Sequence, residues 1–417
     1  MKLILIGAGQ RGMTYAQYAL ESGLARIAAV ADPDAEHLAR AGQLLNVPAD
    51  ALYPDAMALL GKPRLADAAI IASMDRDHGA QAVAAMERGY DVLLEKPISP
   101  DAAECLRIEQ AALRTGRRVV VCHVLRYSPF FREIKSVLDS GELGKLVSIQ
   151  HNENIGNFHM AHLFVRGNWR DSATTSPIVM QKSCHDMDLL AWFAGSPCAR
   201  VASFGSLSFF KPENAPEGAA KRCADCPLKD SCRYSAYLCY LPCRGEWPAS
   251  VLTGDQSVAG IERAIAEGPY GRCVFHCDNN VCDHQVTALE FASGVTATFN
   301  LSAFTNRVSR TLKIMCEHGE LRASEEENRI ELSPFASSPG GRTALRVIRP
   351  ERAESGHSGG DTGLMNEFLA LLDGRLQTAA SDISRSVESH LMACAAEEAR
   401  LTHAVVDMSA LRARLKG

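Results

Sequence analysis

The chain lacks a basic excess, a membrane-length apolar run and any internal repeat. Its 417 residues carry 44 Lys and Arg against 49 Asp and Glu, a formal net charge of −5, so no basic footprint argues for a nucleic-acid partner. No apolar stretch approaches the roughly 18 residues that span a bilayer, which argues against a membrane partner. The N-terminal apolar run is only a strand long and leads into glycines and Arg11, unlike a signal peptide. Heptads, low-complexity tracts and repeats of solenoid period are also missing. These absences point to a cytoplasmic globular protein, and a composition of 47 % apolar and 22 % charged residues agrees. The length suits two domains with a sizeable core. Cysteine, by contrast, is plentiful. In a reducing compartment the 14 cysteines are expected as thiols or metal ligands rather than disulfides.

Two short segments carry most of the information. The first is KLILIGAGQRG, residues 2–12. Its continuous apolar run fits a parallel strand buried on both faces. Gly7, Gly9 and Gly12 then give GxGxxG, which provides a tight turn, backbone approach to a pyrophosphate and close packing of helix on strand. The following helix offers its N-terminal amides, from Gln10 and Arg11 onward, to the phosphates. A second apolar run, residues 27–31, ends at Asp32, where a carboxylate bonds a ribose 2′-hydroxyl. With Asp34 close by and no Arg or Lys between Asp32 and Arg40, a 2′-phosphate is repelled, so NAD is expected over NADP. The second segment is VLLEKP, residues 92–97, which sets Lys96 where such a site presents its nicotinamide.

Residues 1–123 alternate strand and helix patterns, the signature of a doubly wound parallel sheet. Residues 7–12, 73–78 and 95–97, including Ser73, His78 and Glu95, then converge beyond the carboxyl ends of the strands. From residue 124 onward a helix at about 128–138 precedes strand-like stretches at 146–151, 200–207, 284–292, 295–304 and 312–316, with a hairpin turn at Gly294. This predicts an α+β domain, 124–417, with a large, mostly antiparallel open sheet. One face of that sheet is free to pack on the first domain or on another subunit, so a homodimer or homotetramer through it is expected. A Cys-, Pro- and Gly-rich insertion interrupts the sheet at about 211–282. Two helices, at about 363–372 and 384–402, close the chain.

GAGQRG, the ADPD after the second strand, His78 and LLEKPIS resemble the glucose–fructose oxidoreductase / inositol dehydrogenase family. The likeness extends through residues 122–131, 164–170, 184–195 and 356–365 and into the C-terminal helix. The family joins a Rossmann domain to an open-sheet domain and mostly oxidises or reduces sugars and polyols with NAD or NADP. The resemblance implies that Lys96 is the catalytic lysine, its ammonium stabilising developing alkoxide charge. It implies that His185 is the catalytic histidine, a neutral imidazole that accepts the hydroxyl proton. Asp188, three residues on, orients His185 or a substrate hydroxyl. Glu95 pairs with Lys96, orients the cofactor or serves a structural ion pair.

The chain departs from the family where many members carry an aspartate four residues before this histidine. Gln181 stands there, with Lys182 beside it; a cation three residues before His185 is expected to depress the imidazole pKa. Arg126, Tyr127, His159, His162, Arg166, Asn168 and Trp169 supply planar donors and aromatic faces suited to a sugar. His357 and Asp361 flank a glycine-rich loop that reaches toward the cleft, unless Asp361 only caps the next helix. The leading expectation is an NAD-dependent sugar or polyol dehydrogenase. A redox-neutral NAD-dependent glycoside-cleaving enzyme and a non-catalytic NAD or sugar sensor are the alternatives.

Within the insertion, Cys223-x2-Cys226-x5-Cys232 is followed by Cys239 and Cys243. A structural zinc held by Cys223, Cys226, Cys232 and either Cys239 or Cys243 is one reading. Free thiols packed as small hydrophobes are the other, and iron–sulfur ligation ranks behind both.

Overall fold

In the computed structural model, which describes residues 1–339, 341, 343–352 and 356–416, the chain forms two sheets. The first contains β1 (Lys2–Ile6), β2 (Arg26–Ala31), β3 (Leu52–Tyr53), β4 (Ala68–Ile71), β5 (Asp91–Leu94) and β6 (Val119–Val121), in the order β3-β2-β1-β4-β5-β6. Every pairing in it is parallel. Residues 3–6, 68–71 and 91–94 are buried throughout, which is why these strands read as unbroken apolar runs. The order reverses beside β1, and the crevice beyond the carboxyl ends at that switch point is where such sheets hold ligands.

The second sheet contains β7 (Leu146–Asn154), β8 (Cys198–Ser206), β9 (His284–Phe291), β10 (Thr296–Ser302), β11 (Ser309–Cys316), β12 (Gly319–Ser324), β13 (Arg329–Pro334), β14 (Arg346–Ile348) and β15 (Val406–Asp407). Its order is β14-β13-β12-β11-β7-β10-β9-β8-β15. β7 and β10 pair parallel; the other pairings are antiparallel. Gly294, at φ +86°, turns the chain between β9 and β10. The last β-hairpin strands, β12 to β14, escaped the sequence pattern because they are short and rich in charge. Inner-face residues Ile149, Phe299, Leu301, Leu312 and Ile314 join the main core, against which the Cys184–Ala194 and Ile383–Thr402 helices pack.

The insertion is not strand-like. It folds into short helical turns and two helices, Ala236–Tyr240 and Val258–Glu267, around a small core of its own that includes Ala236, Tyr240, Ile261, Ile265 and Tyr270. Among the described residues no helix is long and apolar enough to cross a membrane.

Candidate active site

The glycine loop has the shape its spacing calls for. A Cβ on Gly7, at φ +87°, would stand 2.4 Å from the Ala72 carbonyl oxygen, and one on Gly12 would stand 1.9 Å from the Gly7 oxygen; neither position accepts a side chain. Above Gly9 there is open space, and Gly9 caps the Gln10–Glu21 helix without a side-chain hydrogen bond. The helix therefore presents unshielded amides to an anion. Asp32, buried at the end of β2, accepts the Ala8 amide at 2.6 Å and the Asp34 amide at 2.8 Å, so it shapes the glycine loop. Asp34 caps the next helix through the Glu36 and His37 amides. These residues fit a dinucleotide.

Arg11 is expected to offer its backbone amide to the phosphates, and its side chain turns to other partners. Its guanidinium meets Glu95 at 3.0 Å and Asp361 at 2.6 Å and lies over Tyr15. Gln10 is exposed at the helix start. Ser73 donates to Gln81 at 2.6 Å. His78 is buried, its ring nitrogens 2.7 Å from the Pro97 oxygen and 3.2 Å from the Ser73 oxygen, so it ties together the two turns that follow β4 and β5. Asp361 does not cap its helix, whose N-cap is Gly359; it joins Arg11 and His357, the latter at 3.1 Å.

Lys96 closes the turn after β5. Its ammonium donates to the Gln181 backbone oxygen at 2.8 Å, and its own amide donates to Glu95 at 2.6 Å. Burial alone would raise the Glu95 carboxyl; the charges of Arg11 and Lys96, with hydrogen bonds from Arg11 and Tyr15, hold it below the usual carboxylate range. Glu95 thus serves the turn and the loop together.

His185 lies in the first turn of the Cys184–Ala194 helix, nearly all of which is buried. Its ring is 5.8 Å from His123 and 6.2 Å from His357, and its Nδ1 has no protein partner. Burial first, then the positive potential of Lys96, His123, His357 and Arg310, push its pKa well below the ordinary histidine value. The expected agent of that shift was Lys182. Lys182 instead pairs with Glu153 at 3.2 Å, because the chain turns between residues 181 and 184 and sends the two side chains to different partners.

Several expected substrate contacts are spoken for. Asp188 receives both arms of Arg126, at 2.6 and 2.8 Å, in the protein interior. Tyr127 hydroxyl bonds Glu367 and Ser381 at 2.9 Å each. Arg166 is buried in the insertion, donating to the Arg272 and Tyr234 carbonyls at 2.7 and 2.6 Å. His162 stacks on Tyr270 at 4.8 Å and bonds the Tyr240 hydroxyl at 3.0 Å. Trp169 packs partly buried on the main core, with an unpartnered Nε1, and Asn168 is exposed. These types suit a sugar, but Arg126, Tyr127, Asp188, His162 and Arg166 already have partners within the fold. His159 lies 5.4 Å from Trp247, and burial, then the charges of Lys182, His162 and Lys96, push its pKa down to about 3.

Residues that sequence reasoning passed over hold the site from behind. Arg310 and Glu153 face each other across the β11–β7 pairing. Arg310 reaches Asp186 at 2.7 Å and Glu153 at 3.0 Å, and His151 meets Asp186 at 2.6 Å. The alternating burial of β7 carried a signal, since His151 and Glu153 share its inner face. From the Ile383–Thr402 helix, which a further helix, Met408–Lys416, follows, His390 accepts the Ile98 amide through Nε2 at 2.8 Å and donates from Nδ1 to the Ser386 oxygen at 3.0 Å, so it braces the turn that carries Lys96. A surface concavity of about 690 Å³ lies at the opposite, amino-terminal ends of the parallel strands, around Lys2, Arg26 and Asp67, away from this chemistry. Among the described residues no three His, Cys, Asp or Glu side chains stand close enough together to grip a metal ion, so the sulfurs of Cys223, Cys226, Cys232 and Cys239 or Cys243 do not converge as the zinc reading expects, and none of the insertion's cysteines forms a disulfide.

Two models of one oxidoreductase family match the chain: its NAD-binding Rossmann fold over residues 1–123 and its C-terminal alpha/beta domain over residues 135–332. Among named relatives, YteT of Bacillus subtilis (strain 168), whose name assigns it to the oxidoreductases without a substrate, is 26 % identical over 76 % of this chain and 74 % of its own length. An inositol 2-dehydrogenase of Streptomyces avermitilis is 31 % identical over 51 % of this chain, which spans 58 % of that relative's length. An oxidoreductase of Agrobacterium radiobacter, solved with NAD+, L-tartaric acid and magnesium, shares the fold at a TM-score of 0.70 and 15 % identity, over 99 % of both chains.

Proposed function

The chain belongs to the glucose–fructose oxidoreductase / inositol dehydrogenase family of NAD-binding oxidoreductases, and from that premise we propose that it moves a hydride between a nicotinamide cofactor and a hydroxyl-bearing carbon of a sugar, polyol or sugar derivative. In this reading residues 1–123 hold the cofactor and residues 124–417 the substrate. The observation that carries it is the bond from the Lys96 ammonium to the Gln181 carbonyl, which ties the lysine to the segment leading into the helix of His185, whose imidazole is held well below the ordinary histidine pKa by burial first and then by the charge of Lys96.

Bound NAD supplies the hydride acceptor. Lys96 binds the reacting hydroxyl and offsets negative charge as it grows on oxygen. His185 takes the hydroxyl proton at a ring nitrogen. The same positive potential that keeps the imidazole neutral also favours an alkoxide. Gln181 in place of an acid contributes a backbone oxygen that aims the lysine, so no carboxylate is needed to position it. His159 and the lysines line the substrate side. Asp32 favours NAD over NADP by repelling a 2′-phosphate and accepting from a ribose hydroxyl.

Assembly belongs to the same proposal. On the outer face of the second sheet Phe204 and Val286 are cross-strand partners and are 65 % and 43 % exposed. An apolar pair on an open sheet face suits a second copy of the chain.

The direct test is the formation of NADH from NAD with a panel of free polyols, monosaccharides and their acid derivatives, followed by absorbance. Net reduction of NAD by one class supports the proposal; tight NAD binding with no reduction by any of them overturns it.

A further inference from the structure

We propose that Cys223, Cys226, Cys232 and Cys273 form a four-thiolate site for one zinc-type divalent ion, which organises the insertion as a wall of the substrate cleft. The fourth ligand is Cys273, far along the chain, and not the nearby Cys239 or Cys243.

The fold brings the four together. Cys223 opens a one-turn helix, Cys223–Asp225, and the Cys226 amide folds back onto the Cys223 oxygen at 3.3 Å. An antiparallel bridge joins Arg222 to Arg272, and the Cys273 amide donates to the Lys221 oxygen at 2.9 Å. This pairing lays the segment of Cys273 alongside that of Cys223. All four cysteines line one cavity of about 20 Å³, room for roughly a single water-sized sphere. Cys239 and Cys243 do not line it.

Charge supplies the second, independent observation. Arg166 also lines this cavity and is 1 % exposed. Among the described residues no carboxylate lies within ion-pair distance of it. Its Nη1 has no partner, and its Nη2 points at the Cys223 sulfur, 3.7 Å away. A cation taken out of water without an anion is costly. Four thiolates around a divalent ion carry two net negative charges, which Arg166 offsets in part. The Ala236 amide donates to the same Cys223 sulfur at 3.4 Å.

The sulfurs line the cavity walls and do not yet meet at one point. Closing them on an ion at about 2.3 Å each needs side-chain rotation, and each thiol releases its proton to solvent as it binds. The consequence reaches the active site. Trp247 of the insertion packs on His159, and Phe158 packs on Tyr240. A metal-stapled insertion therefore holds the His159 ring through Trp247.

The test uses the full chain, purified under reductant without added metal. Elemental analysis should find about one zinc per chain, as structural sites closed by four ligands do. Cobalt(II) added to metal-free protein should give sulfur-to-cobalt charge-transfer bands at one equivalent. Cys273→Ser should weaken cobalt binding at least tenfold, while Cys239→Ser should bind as the parent does. Should Cys273→Ser fail to fold, X-ray absorption of the zinc-loaded parent decides, with four sulfur neighbours expected. Iron with acid-labile sulfide, failure of the reduced parent to take up zinc or cobalt, fewer than four sulfurs, or undiminished binding by Cys273→Ser would each overturn the proposal.

Discussion

The Lys96 ammonium donates to the backbone carbonyl of Gln181 at 2.8 Å, a bond between the turn after β5 and the segment leading into the helix of His185. It joins the two parts of the chain through the very residues assigned to the chemistry. Because the acceptor is main chain, the link survives replacement of the Gln181 side chain. Gln181→Ala should therefore keep turnover within about tenfold of the parent, whereas Lys96→Ala should lower it by roughly 10²–10⁴ with NAD affinity nearly unchanged, since the lysine acts mainly on the transition state. Steady-state rates together with calorimetric NAD binding check both halves.

Cofactor choice rests on Asp32. Calorimetry should show NAD bound more tightly than NADP. Asp32→Ala should narrow that gap by removing the repulsion of a 2′-phosphate. It should also weaken NAD itself, because the carboxylate holds the Ala8 amide of the glycine loop at 2.6 Å. Tighter binding of NADP by the parent would contradict this account.

Acid sensitivity follows from the buried histidines. Burial first, then His123 and other neighbouring groups, put His390 at about 3, and burial and Arg166 put His162 at about 4. The unfolded value is near 6.5, so below that pH the unfolded chain binds more protons. The stabilisation is then fully present above about pH 6.5 and is lost progressively as the pH falls toward 4 and 3. Each such histidine adds up to about 1.4 kcal/mol per pH unit to the slope. His390→Gln, which preserves one acceptor and one donor, should reduce the slope between pH 6 and pH 4 by about that amount in denaturant unfolding. An unchanged slope would show that His390 is not neutral in the fold.

Assembly through the open sheet predicts a mass of two or four chains by light scattering. Phe204→Glu should lower the mass to that of a smaller species while leaving the fold, read by circular dichroism, intact. A parent that is monomeric at all concentrations would contradict it.

The first sheet was legible because its strands are buried on both faces and so read as apolar runs, and because Gly7 and Gly12 occupy positions where no Cβ fits. The two candidate catalytic residues were legible through short motifs. Side-chain pairing was not. Arg126, Tyr127 and Asp188 have the right chemistry for a sugar, yet their partners are one another, Glu367 and Ser381, which no local spacing reveals. The Arg310–Glu153 contact joins residues 157 positions apart, and the brace from His390 to Ile98 joins residues 292 apart. Such contacts are set by sheet register and helix docking, and only the fold discloses them. The same limit misplaced Lys182, whose proximity in sequence to His185 is undone by the turn between them.

The central claim is hydride transfer supported by Lys96 and His185. Its most direct test is the transfer of deuterium from the carbinol carbon of deuterated polyols and sugars to C4 of the nicotinamide, followed by mass spectrometry in single turnovers of the parent, Lys96→Ala and His185→Ala. The account predicts labelled NADH from at least one substrate class in the parent, with transfer slowed by roughly 10²–10⁴ in each variant. Label transfer at parental rates in both variants, or none from any substrate to NAD bound by the parent, would contradict it.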